Sequence, residues 1–293
     1  MSKIEDALRK AKRNHESKKN SSSSLTLLRG VRHDNQFLPE NSSNENANEA
    51  IKYTSNSKEI ALMVEDELFD SHKLSELKII SSNMNESKVA NTYRELRTKL
   101  LHKSQGKNFI VMVTSCIDDD SSSSVILNMA SAFTFEETKT SLIIDCNLSK
   151  PRLNEDLQKE VDIGLIDYLK DENIDAESIL YKTGIKRLRM IPAGRASESA
   201  SEYFTSQRMR SLMSGLLRRY SDRYIFINTP PITESADSKI LAELCDFTVL
   251  VVPYATTSKA KVKEASNKLG KDKLLGVVFS DIPKSPQLGF LGL

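Results

Sequence analysis

The sequence predicts an α/β fold: a doubly wound, mainly parallel sheet flanked by helices and preceded by a disordered N-terminal linker. Three observations lead there. Short apolar runs rich in β-branched residues recur between Phe109 and Phe279, and helical stretches separate most of them. Each run is apolar at successive positions rather than at alternate ones, as a strand must be when helices cover both of its faces.

Taken in chain order, Met1–Arg13 reads as a short amphipathic helix. Ser2 and Glu5 have capping-box spacing, and Ile4, Ala7, Leu8 and Ala11 share one face among Lys3, Arg9, Lys10, Lys12 and Arg13. Such a helix suits an anionic membrane surface or a partner groove, giving a peripheral contact at the inner face of the plasma membrane. Residues 14–73 are rich in Ser, Asn, Glu and Lys, most clearly in Ser21–Ser24 and Asn41–Asn48. Too few apolar residues recur there to offset the entropy of ordering, so the segment reads as linker, with one short helix expected over Glu59–Leu68. The folded domain is expected over 74–282. Its strands are Phe109–Thr114, Ser141–Asp145, Leu188–Ile191, Tyr224–Asn228, Phe247–Val252 and Leu274–Phe279, with a helix over Val125–Phe135. Residues 283–293 form a tail without a tyrosine.

Composition excludes some classes and leaves others open. With 293 residues, 39% of them hydrophobic, the chain can bury one sizeable core plus tails. No apolar run is long enough to cross a bilayer, and the polar N-terminus does not resemble a secretory signal, so a cytoplasmic location is expected. A net charge of +2 lacks the cationic excess of a dedicated nucleic-acid binder. Cys116, Cys146 and Cys245 have no metal-ligand spacing and read as buried, reduced thiols. The four histidines are scattered, and no metal site is expected.

Ligand crevices of such sheets lie beyond the carboxyl ends of the strands, which singles out 116–124, 145–151 and 228–231. The first of these, Cys-Ile-Asp-Asp-Asp-Ser-Ser-Ser-Ser, stands between a strand and a helix, where a phosphate-binding loop would stand. A working loop needs glycines whose amides wrap phosphate and a lysine that reaches the β/γ oxygens. Here Asp119 and Ser121 take glycine positions, Ser122 the lysine position and Ser123 the magnesium-hydroxyl position. Ser121, Ser122, Ser123 and Ser124 are the residues that would face a phosphate, with a single anion at the helix end as the most they would hold. Asp120 or Ser121 is the expected helix cap. Asp118–Asp120 oppose a triphosphate: each like-charge contact at about 4 Å costs ~4 kcal/mol at an effective dielectric of about 20.

Beyond the loop, six segments carry a resemblance: Asn91-Thr-Tyr-Arg-Glu-Leu-Arg-Thr-Lys-Leu100, Leu142-Ile-Ile-Asp-Cys-Asn-Leu-Ser-Lys-Pro-Arg-Leu153, Gly164-Leu-Ile-Asp-Tyr-Leu169, Ile191-Pro-Ala-Gly-Arg195, Ser206-Gln-Arg-Met-Arg210 and Ile227-Asn-Thr-Pro-Pro-Ile232. In order and spacing they resemble bacterial tyrosine kinases, specifically the cytoplasmic P-loop domain of polysaccharide co-polymerase and chain-length-determinant systems, whose fold is related to MinD and ParA proteins. The resemblance implies a MgATP site built from the loop lysine, an Asp-x-Asp after the second strand, and an Asp on a later strand. Here those places hold Ser122, Asp145 with Asn147, and Asn228, and an amide lacks the charge a hard dication needs. The chain is therefore identified as a degenerate member, with no catalytic residue and no cofactor expected. ATP and magnesium would enter only if the site were active after all.

What the resemblance implies for function is a scaffold or regulator of exopolysaccharide or capsule synthesis and chain-length control. Its partners would be a membrane chain-length-determinant protein, an intact tyrosine-kinase paralogue, or both. The family's subunit-packing motif leaves Arg94 and Arg97 as expected oligomerisation residues, with Asn91 in place of its glutamate. An active tyrosine autokinase of an exopolysaccharide locus is the alternative, and a MinD/ParA-type positioning protein a remoter one.

Overall fold

The computed structural model describes Ile60, Met63, Glu65 and residues 67–84, 87–195, 201–219 and 222–282. The amphipathic stretch Met1–Arg13, the low-complexity pieces and the tail 283–293 lie outside the described residues. The helices are α1 (Ser71–Glu76), α2 (Lys88–Lys103), α3 (Ser121–Phe133), α4 (Leu153–Asp156), α5 (Leu165–Lys170), α6 (Ser201–Phe204), α7 (Gln207–Arg219), α8 (Ala236–Glu243) and α9 (Lys259–Leu269). The strands are β1 (Ile110–Ser115), β2 (Thr140–Asp145), β3 (Tyr181–Lys182), β4 (Leu188–Ile191), β5 (Arg223–Asn228), β6 (Phe247–Pro253) and β7 (Leu274–Ser280). They form a seven-stranded sheet in the order β3-β4-β2-β5-β1-β6-β7, parallel except for β3.

The continuous apolar runs are explained by a core on each face. Along β1, Ile110 and Met112 point into one cluster while Val111 and Val113 point into the other. Strand β5 divides the same way, with Ile225 and Ile227 on one face and Tyr224 and Phe226 on the opposite one. The period-2 pleat sends successive side chains to opposite faces, and helices await them on both. Phe109, Phe133, Tyr224, Phe226 and Phe247 pack together under α3, with Phe133 and Tyr224 ring centres 4.7 Å apart. Edge-to-face and tilted rings of this kind add to the burial of their area.

The six expected strands are present to within a residue at each end. Strand β3 is not among them, since its two residues are too short to show a period. The α3 helix starts four residues earlier than expected, at Ser121, because Ser121–Ser123 are themselves buried in the first turn. The domain also reaches further back than residue 74. Phe69 N–H donates to the Gly184 carbonyl at 2.8 Å, Asp70 caps α1 by accepting from Lys73 N–H at 2.7 Å, and Glu65 pairs with buried Arg189. Residues 65–73, expected as linker, thus include structural residues. Of the helix expected over Glu59–Leu68, Ile60 is helical, whereas Met63, Glu65, Glu67 and Leu68 are not.

Two of the recurring segments are explained by contact with one another. Gly164 lies so close to the 192–194 backbone that an added Cβ would stand 2.3 Å from Gly194 N and 2.5 Å from the Pro192 carbonyl. Leu165 and Ile166 N–H donate to the Pro192 and Ala193 carbonyls at 2.8 and 3.0 Å. Gly194 takes φ 83°, which L side chains rarely adopt.

Candidate functional site

The carboxyl ends of β1, β2 and β5 are laced together by backbone. Cys146 N–H donates to the Asn228 carbonyl at 2.9 Å, and Thr229 N–H to the Val113 carbonyl at 3.2 Å. Thr114 Oγ1 donates to the Pro230 carbonyl at 2.8 Å, and Thr233 Oγ1 to the Cys116 carbonyl at 2.7 Å. The three loops singled out in the sequence therefore converge on one crevice, as the parallel topology requires.

In the loop after β1, Asp119 is the carboxylate that holds the start of α3. Its Oδ1 accepts from Ser121 Oγ at 2.8 Å and from Ser121 N–H at 3.4 Å. Asp120 occupies the cap position in helical conformation and makes no side-chain cap bond. The capping expected of Asp120 or Ser121 thus falls to Asp119. Burial raises the Asp119 carboxyl above its ordinary value against the pull of its Ser121 bonds, and Asp281 and Asp120 push the same way.

Asp118 and Asp120 are not free to repel an anion as the sequence suggested. Lys150 pairs with Asp118 and Arg152 with Asp120. The two cations come from the loop after β2, and no local spacing links them to the 118–120 carboxylates. These partners are substantially exposed, so each pair contributes about 0–1 kcal/mol. Their importance is occupancy: both cations are already engaged by carboxylates of the same chain.

Asp145 is fully buried at the end of β2. Its Oδ1 accepts from Asn228 Nδ2 at 2.9 Å and from Asn147 N–H at 3.1 Å. Burial pushes its pKa up to about 6, opposed by those two bonds and, more weakly, by the Leu153 and Arg152 amides at the start of α4. Its Oδ2 and the Asn228 Oδ1 make no hydrogen bond of good geometry. Asn147 turns the other way, its Oδ1 accepting from Ser149 Oγ at 3.1 Å and Lys150 N–H at 3.4 Å. The Asn147 and Asn228 amides thus brace the loop and the strand ends.

A cavity of about 610 Å³ opens beside the loop. Glu76, Asp119, Asp120, Glu155, Asp156 and Asp281 stand on its wall against one lysine, Lys78. Asn128 of α3 builds part of that wall: its Oδ1 accepts from Ile80 N–H at 2.8 Å and its Nδ2 donates to the Lys78 and Ser124 carbonyls.

Arg94 and Arg97, expected at a subunit interface, make contacts within the chain. Arg97 Nη1 donates to the Ala132 carbonyl at 2.9 Å, in the last turn of α3, and Nη2 lies 3.6 Å from Glu136. Arg94 donates to the Ser82 and Met84 carbonyls and to Asn91 Oδ1, and stacks over Phe135. Arg208, within the Ser206–Arg210 segment, gathers the Tyr168, Asp171 and Ile174 carbonyls around the end of α5. The three cysteines are buried and free. Among the described residues there is no cluster able to hold a metal and no helix long and apolar enough to cross a membrane.

A mainly parallel sheet in which the interior strand β1 runs through such a loop into α3 has the architecture of the P-loop NTPase fold. Comparison with known proteins narrows this. No protein-family profile matches the chain. Tyrosine-protein kinase YwqD of Bacillus subtilis (strain 168) is 30% identical over 216 residues, covering 71% of this chain and 90% of that protein. Putative tyrosine-protein kinase CapB of Staphylococcus aureus is 27% identical over 201 residues, covering 67% and 86%. The chimerical protein CapA2B2 superposes with a TM-score of 0.65 at 21% identity, covering 79% of this chain and all of that one. The kinase domain of Escherichia coli tyrosine kinase ETK gives 0.63 at 21%, covering 71% and 81%. The chain belongs to the bacterial tyrosine-protein kinase family.

That family implies MgATP, and the residues present do not fit it. No lysine or glycine stands in the loop, and the wall of the adjoining cavity is acidic. Asn228 spends its amide donor on Asp145, and Asp145 is buried with its Oδ1 already engaged by Asn228 Nδ2 and Asn147 N–H. A dication needs anionic oxygen at its ligand positions.

Proposed function

We propose that this member of the tyrosine-kinase family acts without phosphoryl transfer, as a scaffold or regulator of exopolysaccharide or capsule synthesis and chain-length control. One observation carries the reading. The polar groups that could serve a nucleotide are committed to one another: the cations Lys150 and Arg152 to Asp118 and Asp120, and the Asn228 amide to Asp145. Phosphoryl transfer depends almost wholly on positioning and charge stabilisation, and such a site supplies neither. The partner would be a membrane chain-length-determinant protein or an intact tyrosine-kinase paralogue, met through a surface of this fold, with peripheral membrane contact through Met1–Arg13. The alternative, an active autokinase, rests on family membership.

Calorimetric titration of the full chain with ATP and excess magnesium separates the two. The scaffold reading expects no binding heat. Magnesium-dependent binding tighter than about 10 µM, roughly 7 kcal/mol of affinity, would overturn it, as would phosphotyrosine appearing on the chain or on a co-purified partner.

A further inference from the structure

Strand β7 ends the sheet: among the described residues it pairs only with β6. Ser280 turns its carbonyl inward, accepting from Tyr254 N–H at 3.0 Å. Successive residues of a strand alternate in the edge they present, so Val277 and Phe279 turn N–H and C=O outward. Their side chains, beside Leu250 and Val252 on one face of the sheet, are 41% and 56% exposed. An open apolar edge of this kind templates a further strand.

On the opposite face a groove of about 520 Å³ runs between β7 and α2. Leu96, Leu275, Gly276 and Val278 make it apolar, and a Cβ added to Gly276 would meet nothing within 4 Å. Lys99 and Lys103 of α2 stand on its rim, and no carboxylate lines it. Neither lysine forms an ion pair with a described residue.

The rim decides between occupants. A second copy, paired antiparallel with β7 about a two-fold axis normal to the sheet, would bring its own Lys99 and Lys103 to the same face. Like charges would then meet, whereas an acidic strand would meet the rim with opposite charge.

We propose that β7 receives an extended acidic segment of another protein as an added strand. Its backbone bonds to the outward groups of Val277 and Phe279, and apolar side chains cover those two residues on their face. On the other face a large apolar side chain enters the groove over Gly276, with carboxylates two positions to either side reaching Lys99 and Lys103. Main-chain pairing supplies affinity, and the alternate side chains select the partner. The inference does not rest on the phosphate site, since β7 offers the same edge whether or not the chain transfers phosphate.

The probe is the synthetic peptide acetyl-Ser-Thr-Glu-Val-Leu-Val-Glu-Thr-Ser amide, titrated into the full chain. Saturable binding tighter than about 1 mM is expected, with deuterium exchange at the Val277 and Phe279 amides slowed at least about tenfold at saturation. Lysine in place of both peptide glutamates should weaken binding at least about tenfold. Lys99→Glu with Lys103→Glu should reverse that preference, and both lysines are exposed, so the fold is spared. No binding by the full chain, as when its own end or nothing takes the edge, would overturn the proposal. So would equal binding of the two peptides, or binding that leaves the Val277 and Phe279 amides unprotected. A dimer of the free chain that Val277→Asp disperses would assign the edge to a second copy and overturn it as well.

Discussion

Replacing Asp145 by asparagine tests whether that carboxyl is a structural group carrying a buried-charge penalty. The Asp145→Asn change keeps an acceptor for Asn228 Nδ2 and Asn147 N–H and removes the titration. Burial raises the folded-state pKa from the ordinary 3.8 to about 6. The folded protein therefore binds this proton more tightly than the unfolded chain does, and its contribution to stability is complete below the unfolded pKa. That contribution is lost as pH rises through the folded pKa, because ionised Asp145 is then held away from water. About two pH units at about 1.4 kcal/mol each give roughly 3 kcal/mol by pH 7. The amide of the Asp145→Asn variant cannot titrate, so the stability gap between variant and parent should move toward the variant by roughly that amount between about pH 4 and about pH 7.5. The chain has no tryptophan, so urea unfolding is best followed by far-UV circular dichroism. Any fixed loss from weakened Arg152 and Leu153 amide contacts offsets both pH values equally and cancels in the comparison. A gap that stays constant with pH would refute the reasoning.

Three further outcomes are expected. Asp118→Ala with Asp120→Ala should release Lys150 and Arg152 and give weak inorganic-phosphate binding, detectable as chemical-shift changes at millimolar phosphate that the parent lacks; identical titrations would remove the occupancy argument. Gly164→Ala should destabilise the fold by roughly 2–4 kcal/mol, since its Cβ would overlap the backbone around Gly194; an unchanged urea midpoint would contradict the close approach. Arg97→Ala should cost about 1–2 kcal/mol of stability by orphaning the Ala132 carbonyl, and thermal unfolding that matches the parent would return Arg97 to the list of residues free for a partner.

The contacts of Arg94 and Arg97 also change how the scaffold should be probed. Reversing both charges would break the bonds that tie α2 to the end of α3 and to the 82–84 loop. Loss of function from that change would not separate docking from folding. The β7 edge offers changes that spare these bonds.

The sequence by itself determined the strands, because a run such as Ile225-Phe-Ile-Asn228 is apolar toward both faces and only a doubly covered strand has that need. It determined the family through collinear segments, and the lack of glycine and lysine in 116–124, because these are local identities within a short strand–loop–helix pattern. It did not determine what those residues do, since that depends on partners far along the chain. Asp118 and Lys150 are 32 residues apart and Asp145 and Asn228 are 83 apart; parallel crossovers bring their strand ends together, and no local spacing records the meeting. The acidic loop looked like an isolated negative charge because its neutralising cations sit after a different strand. Arg94 and Arg97 are expected at a subunit interface because the resemblance supplies a motif, and a motif does not record what each side chain touches within this chain. Only the tertiary structure decided that those charges are already paired within the chain, and that the exposed apolar surface lies instead along β7.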